Sequence, residues 1–310
     1  MKAVAGSVSV AAFPPAAAAP AGIARRLRRH GSVALGGAIL AAVVALACLA
    51  PVLGTVDPAR IDPVVRNQRP GAQRLVRNAD GAQTTRTYWM GTDSLGRDVY
   101  SRVVYGARVS LIVGVTVALV SAAVGLVIGV LAGYLRWLDG VVMRAMDGLM
   151  AIPAILLAIG LVSLSRAGLR TVILAIVIPE VPRVVRLVRA VVLSIREEPY
   201  VEAAVALGAR TPALLARHVL PNTMAPLVVQ ATFVCASAIL VEAILSFLGV
   251  GIPPETPTWG NIMAEGRALF RILPHNILFP GVFLAATVLA VNMLGDGLRD
   301  TLDPRLRRQI

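Results

Sequence analysis

The sequence predicts an all-α membrane protein with six transmembrane helices. Of the 310 residues, 57% are hydrophobic and only 15% are charged, and the mean hydropathy is +0.76. Soluble domains carry about 25% charged residues, so this chain has too few charges to cover a globular surface. Its apolar residues form six runs, each long enough for a helix to cross a hydrocarbon core about 30 Å thick. Because these runs are continuous, they exclude an outer-membrane β-barrel, whose strands alternate.

The charge composition limits how the protein can use ATP. Lys2 is the single lysine among 30 basic residues, and the net charge is +13. A Walker A loop requires the lysine of G-x-x-x-x-G-K-[ST], and Lys2 has no such context. Any ATP energy must therefore come from another subunit. Arginines at helix ends and in cytoplasmic loops, facing anionic membrane lipid, account for the positive charge. No basic stripe alternates with aromatic residues, so nucleic acid is not a predicted partner.

The sequence contains no recognisable catalytic or metal-binding set. Cys48 and Cys235 lie inside apolar runs, which argues against a disulfide or a metal site. The three histidines are scattered, and no H-E-x-x-H motif occurs. We therefore predict a chain without catalytic residues and without a cofactor or metal of its own.

The predicted organisation begins with a basic N-terminal extension. Residues 1–30 are rich in alanine and proline, end in an arginine cluster, and are predicted to be disordered. Residues 31–54 form the first transmembrane helix, whose apolar run is too long for the h-region of a signal peptide. Residues 55–107 form an extracytoplasmic insertion. It ends in an interfacial amphipathic helix from Asp98 to Tyr105, anchored by aromatic residues at the headgroup level.

A core of five further helices is predicted over residues 108–298. Within it, the third apolar run (141–164) is interpreted as one span, and a polar loop at residues 194–221 joins the fourth span to the fifth. A basic cytoplasmic tail occupies residues 299–310. Six crossings from a cytoplasmic N-terminus place this loop and both termini in the cytoplasm. The insertion at residues 54–107 holds eight arginines, so the positive-inside rule alone leaves the orientation open.

The 194–221 loop begins with the pattern of a short helix. Pro199 can open this helix, and Glu202 in its first turn suits the positive end of the helix dipole. Gly208 fits the left-handed position that ends a helix.

A second short helix is predicted to follow in the same loop. Thr211 and Pro212 are typical of an N-cap and first helical position, and Pro221 is expected to close the helix before the fifth span. A helix–glycine–helix element of this kind is suited to dock in the groove of a partner. The alternative is a surface loop that merely connects two spans.

This loop resembles the EAA loop of bacterial ABC importer permeases, on the residues Glu202-Ala203-Ala204, Gly208 and Leu220-Pro221. Other segments narrow the resemblance to the "C" type permease subunit of the dipeptide/oligopeptide/nickel group. They are G-T-D-S-L-G-R-D (91–98), S-R (101–102), G-A-R-V-S-L (106–111), M-R (143–144) with Asp147 and Pro153, L-S-F-L-G (245–249), P-P (253–254), W-G-N (259–261), N-M-L-G-D-G-L-R-D (292–300) and L-D-P (302–304). The match covers about residues 30 to 305.

The resemblance implies a type I ABC importer permease core and a transport function. The chain would translocate di- or oligopeptides across the bacterial cytoplasmic (inner) membrane, as a multi-pass protein with both termini cytoplasmic. Implied partners are a second permease subunit in a heterodimer, two cytoplasmic ATPase subunits that hold ATP and Mg, and an extracytoplasmic substrate-binding protein. Nickel, glutathione or another small solute are alternative substrates. An ion-coupled secondary transporter is the alternative class, but it would show inverted repeats.

The resemblance also assigns candidate residues. ATPase coupling is implied for the loop residues Glu202, Ala203, Ala204, Gly208, Thr211, Leu214, Leu215, His218 and Pro221. The candidates for the translocation path are Glu242, Trp259 and Asn261.

The residues themselves leave the roles of these path candidates open. Glu242 lies within the fifth apolar run, where a carboxylate is costly, so we expect it to face the bundle interior as a path residue or a structural partner. Trp259 is expected at the pore mouth as a gate or an interfacial plug, with Asn261 capping a short helix. Glu180, flanked by prolines, is predicted to mark a helix break.

Further charged residues lie near the cytoplasmic ends of the third and fourth spans. Arg144 and Asp147 are three residues apart and are predicted to form a local ion pair. Arg183, Arg186 and Arg189 share one helix face. We expect these three arginines to snorkel to lipid headgroups.

Overall fold

A computed structural model of the protein describes residues 31–77 and 83–302. The predicted N-terminal extension (1–30) and residues 303–310 of the predicted tail lie outside the described residues. Their predicted disorder and cytoplasmic placement therefore stay predictions.

The outer insertion has secondary structure of its own. Helix α1 spans Gly31–Leu49, and a 3-10 turn at Ala50–Val52 follows it. The insertion then contains a second 3-10 turn at Pro63–Val65 and an antiparallel hairpin of β1 (Ala72–Arg77) and β2 (Gln83–Tyr88). The hairpin pairs Ala72 with Tyr88. Neither strand alternates regularly between polar and apolar residues, and the hairpin was not predicted from the sequence.

Helix α2 spans Val99–Tyr134 without interruption, which corrects the predicted interfacial helix. The Asp98 carboxylate caps it by accepting a hydrogen bond from the backbone N–H of Ser101 at 3.2 Å. The residues of the first turns are buried, with Val99 and Val103 fully covered. Residues 98–105 therefore do not form a separate helix on the membrane surface, and the helical core begins at Val99 rather than at residue 108. Gly106 follows Tyr105 but does not interrupt the helix, and it lies against Trp259, so the two predicted segments fuse.

The predicted third span is broken in the structure. Helices α3 (Arg136–Ala151) and α4 (Ala154–Ser163) meet at an angle of 86°. Pro153 causes the break, because its ring disfavours a helical conformation at the preceding residue, and Ile152 is indeed extended. The prediction of one continuous span over residues 141–164 is therefore wrong.

The C-terminal half consists of long helices joined by short elements. Helix α5 spans Leu169–Arg196 and passes through both prolines that flank Glu180, so the predicted break there is wrong. Neighbouring helices and local adjustments allow such prolines in membrane helices. The remaining helices are α6 (Pro199–Ala206), α7 (Thr211–Leu214), a π turn (Leu215–Val219), α8 (Leu220–Phe247), α9 (Trp259–Gly266), a 3-10 turn (Arg267–Leu269) and α10 (His275–Leu302).

The described residues provide the helices that six crossings need. Four helical segments are long and apolar enough to span a membrane, and the bent α3–α4 pair meets the same test as one broken span. Helix α5 has 28 residues, or about 42 Å at 1.5 Å per residue, although several charges interrupt its apolar run. Six crossings would require α5 and the bent pair in addition to α1, α2, α8 and α10, and the count of six stays a prediction.

Close helix packing around α2 holds the core together. Gly125, Gly129 and Gly133 recur every four residues on α2 and face valines of α5. A Cβ at position 129 would lie 2.7 Å from the Cβ of Val188, so the helices approach too closely for any larger residue. This small-residue face is the usual means by which membrane helices pack tightly.

Candidate functional site

The 194–221 loop contains the turn that Gly208 was predicted to make. Helix α6 begins at Pro199 and carries Glu202 in its first turn. Gly208 has φ +83°, in the left-handed region. Its N–H donates to the Val205 carbonyl at 2.9 Å, and the Ala209 N–H donates to the Ala204 carbonyl at 3.0 Å. These two bonds satisfy carbonyls at the end of α6 and reverse the chain direction.

The second half of the loop differs from its prediction at both ends. Arg210 is the N-cap of α7, and Thr211 is its first residue rather than the cap. Pro221 does not close this helix, because it is the second residue of α8 and the helix continues from Thr211 to Phe247. A proline lacks the N–H that an interior helical position needs, and the wider π turn at Leu215–Val219 lies where that bond is lost.

Side chains brace the loop against the C-terminal end of α2. The Arg196 guanidinium donates to the carbonyls of Gly133 at 3.1 Å and Tyr134 at 3.3 Å. The Tyr134 hydroxyl donates to Thr211 Oγ1 at 3.3 Å. On the inner side of the loop, Leu214 is only 2% exposed and Val219 is fully buried. These contacts join the loop to the end of α2.

The tip of the loop is apolar and uncovered in this chain. Leu207 is 89% exposed and Val205 is 56% exposed. Neither residue was among the predicted coupling residues. Both lie within three positions of the turn glycine Gly208, which is the signal that could have found them.

The structure distributes the predicted coupling residues between this exposed face and the interior. Glu202, Ala203, Gly208, Thr211 and Pro221 are exposed. The partly buried set comprises Ala204, Leu215 and His218, and Leu214 is buried. The His218 ring packs 5.8 Å from the Tyr200 ring between centroids, so His218 also supports α6.

The three path candidates lie inside the protein rather than along an open surface. Glu242 is fully buried and accepts hydrogen bonds from Ser246 at 2.8 Å and Ser110 at 3.4 Å. Trp259 is also fully buried, and its indole N–H donates to the Val103 carbonyl at 3.0 Å. Because Glu242 and Trp259 are buried, their positions agree with the structural roles that the sequence left open, a packing partner for Glu242 and an interfacial plug for Trp259. A path role for either residue stays a prediction.

Asn261 organises the outer loop rather than capping α9. Thr258 is the N-cap, because its hydroxyl accepts the Asn261 backbone N–H at 3.1 Å. The Asn261 side-chain amide donates to the carbonyl of Ile252 at 3.0 Å and to those of Pro253 and Thr256 at 3.3 Å. One amide therefore fixes the proline-rich loop, and the predicted cap is wrong.

Ion pairs join α3 to α5 at the cytoplasmic side. Asp147 accepts a hydrogen bond from Arg186 at 2.5 Å, so the predicted local pair with Arg144 is wrong. Asp139 binds Arg189, with Nη2 to Oδ2 at 2.6 Å. Both arginines thus contact carboxylates of the neighbouring helix, and their contacts do not fit the predicted snorkelling.

A second charged cluster joins the outer insertion to α9. Asp93 accepts from Arg97 Nε at 2.7 Å, and Arg97 also binds Glu265 on α9. Arg102 contacts the same Glu265 at 3.3 Å and is only 1% exposed. Burial raises the pKa of Glu265, while Arg102 and Arg97 lower it. The cluster holds the segment before α2 against the outer loop.

Removing Glu265 is expected to weaken this outer cluster strongly. Glu265→Ala leaves Arg97 and Arg102 buried without that counter-charge, which costs about 3 kcal/mol for a buried pair. The thermal unfolding midpoint of the purified transporter measures the loss. Glu255→Ala, an exposed acid in the same outer loop, is the matched control and should leave the midpoint unchanged. Equal midpoints for the two variants would contradict a stabilising role of the cluster.

Comparison with known proteins identifies the family. A model described as the inner membrane component of binding-protein-dependent transport systems matches residues 125–308. The chain belongs to this family. It is therefore a multi-pass permease subunit of the inner membrane, in a transporter that also includes an ATPase and a substrate-binding protein.

Two relatives match about nine-tenths of the permease, and others match a smaller part. A probable peptide ABC transporter permease protein of Sinorhizobium fredii is 53% identical, covering 93% of this chain and 94% of the relative. The dipeptide transport system permease protein DppC of Alkalihalophilus pseudofirmus is 38% identical, over 91% and 89%. A glutathione transport system permease protein of Escherichia coli is 45% identical, over 71% and 73%. A solved inward-facing structure of the MetNI methionine ABC transporter has a TM-score of 0.48 at 20% identity, over 65% and 97%.

Proposed function

We propose that this permease translocates di- or oligopeptides into the cytoplasm. The observation that carries the proposal is the 53% identity with a peptide transporter permease over 93% of the chain. Glutathione, itself a small peptide, is the second candidate, because a glutathione permease is 45% identical over 71% of the chain. The chain pairs with a second, different permease subunit. It binds no cofactor itself, since ATP and Mg bind to the ATPase subunits.

The proposed coupling surface is the exposed face of the cytoplasmic loop. Glu202, Ala203 and Gly208 lie on this face, and the uncovered apolar side chains of Val205 and Leu207 supply the area that a partner groove would bury. Leu214 and Leu215 anchor the loop from behind, with Ala204, Thr211, His218 and Pro221 shaping the rest of the element. Closure of the ATPase dimer on ATP moves this loop, and the bonds from Arg196 and Tyr134 pass the movement to α2.

The decisive experiment measures which solute drives the assembled transporter. The permease pair, the ATPase subunits and the binding protein are purified together and reconstituted in lipid vesicles. ATPase activity is then measured with alanyl-alanine, a tetrapeptide, glutathione or Ni²⁺. Stimulation by the peptides supports the proposal. If only glutathione or only Ni²⁺ stimulates the ATPase activity, that solute is the substrate in place of di- or oligopeptides.

The proposed orientation places the coupling loop in the cytoplasm. Ala268 and Ala209 are exposed, and the proposed topology places them on opposite sides of the membrane. Each position is replaced by a single cysteine. Both are made in a chain whose Cys48 and Cys235 are replaced by alanine. An impermeant thiol reagent should label Ala268→Cys in intact cells and Ala209→Cys only after permeabilisation. Labelling of Ala209→Cys from outside would reverse the proposed topology.

A further inference from the structure

The cytoplasmic half of α5 exposes a strip of polar and small residues. The strip consists of Arg183, Arg186, Ala190 and Ser194. The outer half of the same helix exposes Leu174 and Ile178 instead. A surface that faces lipid is apolar, as the outer half is. The change of character within one helix therefore indicates that the strip faces water.

The depth of Arg183 supports a watery environment. Arg183 lies at the middle of the 28-residue helix, which is about 42 Å long. The middle of such a helix lies near the centre of a hydrocarbon core about 30 Å thick. The Arg183 side chain is 48% exposed there, too far from either headgroup layer for its guanidinium to reach by snorkelling. Ionisable side chains at this depth usually face the bundle interior or a water-filled cavity.

The guanidiniums of the strip keep hydrogen-bond donors available. Among the described residues, Arg183 bonds through Nη1 alone, at 3.3 and 3.4 Å to the Glu180 carboxylate. Glu180 is 2% exposed and also accepts from Ser237 of α8 at 2.9 Å, so its charge lies beneath the surface. Arg186 is 43% exposed and bonds to Asp147 through Nη2.

The exposed surface around the strip carries a net positive charge. Arg144 of α3 is exposed nearby in the same helix as Asp147. The surface therefore shows three guanidiniums, of Arg144, Arg183 and Arg186, against the exposed carboxylate of Asp147, while Glu180 is covered. Guanidinium groups present planar pairs of donors that match a carboxylate.

We propose that this strip lines the water-filled path between the two permease subunits, and that Arg183 and Arg186 bind the carboxylate of a passing solute. For a peptide, that group is the C-terminal carboxylate. The inference rests on the proposed function for the identity of the solute. It differs from the sequence-based path candidates, Glu242, Trp259 and Asn261, all of which are buried in this structure.

Thiol accessibility tests the position of the path. Arg183→Cys and Ile178→Cys lie five residues apart on α5, about 7.5 Å along the helix axis, and both native side chains are exposed. Each is made in a chain lacking Cys48 and Cys235 and assembled with all partners in lipid vesicles. The reaction with a negatively charged methanethiosulfonate is measured in two states, without nucleotide and with ATP and vanadate. In at least one of these states, the reagent should modify Arg183→Cys at least tenfold faster than Ile178→Cys. Equally slow modification in both states would overturn the proposal.

Transport tests the carboxylate. Vesicles with the native chain, Arg183→Gln or Arg183→Lys take up radiolabelled alanyl-alanine or its C-terminal amide, with the same binding protein throughout. Arg183→Gln should reduce the ratio of acid to amide uptake at least fivefold, and Arg183→Lys should retain most of it. An unchanged ratio in Arg183→Gln would overturn carboxylate binding.

The two proposals fail in different ways. If the native chain transports neither dipeptide, the peptide assignment fails, and the ratio is measured with glutathione and its diethyl ester instead. If Arg183→Gln does not assemble, Arg183→Lys and the thiol-accessibility comparison still decide the proposal. Slow thiol modification of Arg183→Cys in both states would then overturn it.

Discussion

Replacing Leu207 with aspartate is expected to release the ATPase subunits from the membrane complex while the permease itself remains folded. Leu207 is 89% exposed at the tip of the cytoplasmic loop, so aspartate causes no loss of packing within this chain. In the assembled transporter, the same side chain would bury a charge in the docking groove. A central interface residue of this kind contributes roughly 2 kcal/mol or more, equivalent to about a 30-fold loss of affinity. Co-purification of the ATPase with tagged permease measures the loss.

The matched control uses a leucine with the same exposure elsewhere. Leu164 is 87% exposed after α4, on the side of the fold opposite the coupling loop. Leu164→Asp should therefore retain the ATPase. If Leu207→Asp and Leu164→Asp co-purify equal amounts of ATPase, the coupling surface has been assigned to the wrong face.

A backbone variant tests the same surface without adding charge. Gly208 has φ +83°, and nothing lies within 4 Å of a Cβ placed there. Gly208→Leu therefore acts through backbone strain of about 1 kcal/mol rather than through a clash. The strain tilts α6 relative to α7, and uptake should fall while the protein still inserts. Glu202→Lys should act similarly, since it places a cation at the positive end of α6.

Local signals in the sequence predicted the parts of this fold that depend on near neighbours. Four of the apolar runs form continuous helices long enough to span a membrane, and the helix start at Pro199 and the left-handed conformation of Gly208 were predicted correctly. Each depends on the chemistry of a few adjacent residues. The family resemblance added the function, which composition alone left open.

The incorrect predictions concern interactions between residues far apart in the chain. Asp147 was expected to pair with Arg144 three residues away, but it binds Arg186 on α5. Packing against the neighbouring helix decided that choice, and no local rule describes it. The continuous α2 is a similar case, since its first turns are covered by distant residues such as Trp259.

Proline had opposite effects at two places, and the sequence alone did not distinguish them. Pro153 bends the α3–α4 pair by 86°, whereas Pro179 and Pro182 lie within an uninterrupted α5. Both prolines of α5 are buried. Surrounding helices hold α5 in place, whereas Pro153 is exposed, and no neighbouring helix of the described part of the chain covers it.

The largest loss of stability is expected from Gly129→Leu at the contact of α2 with α5. A Cβ at this position would lie 2.7 Å from the Val188 Cβ and 2.9 Å from the Val185 carbonyl oxygen. One of these atoms belongs to the backbone, so the helices must separate, which costs about 3 kcal/mol or more. The polar strip on α5 would move with them, and uptake should be abolished.

Gly140→Leu is the control for this change, because nothing lies within 4 Å of a Cβ at Gly140 on α3. Both variants replace a helical glycine with the same side chain, so intrinsic helix propensity favours both by a similar amount. Membrane protein level and the unfolding midpoint of the purified complex should fall sharply for Gly129→Leu and stay near the native values for Gly140→Leu. Native levels of both variants would show that α2 and α5 do not pack as closely as the glycine spacing requires.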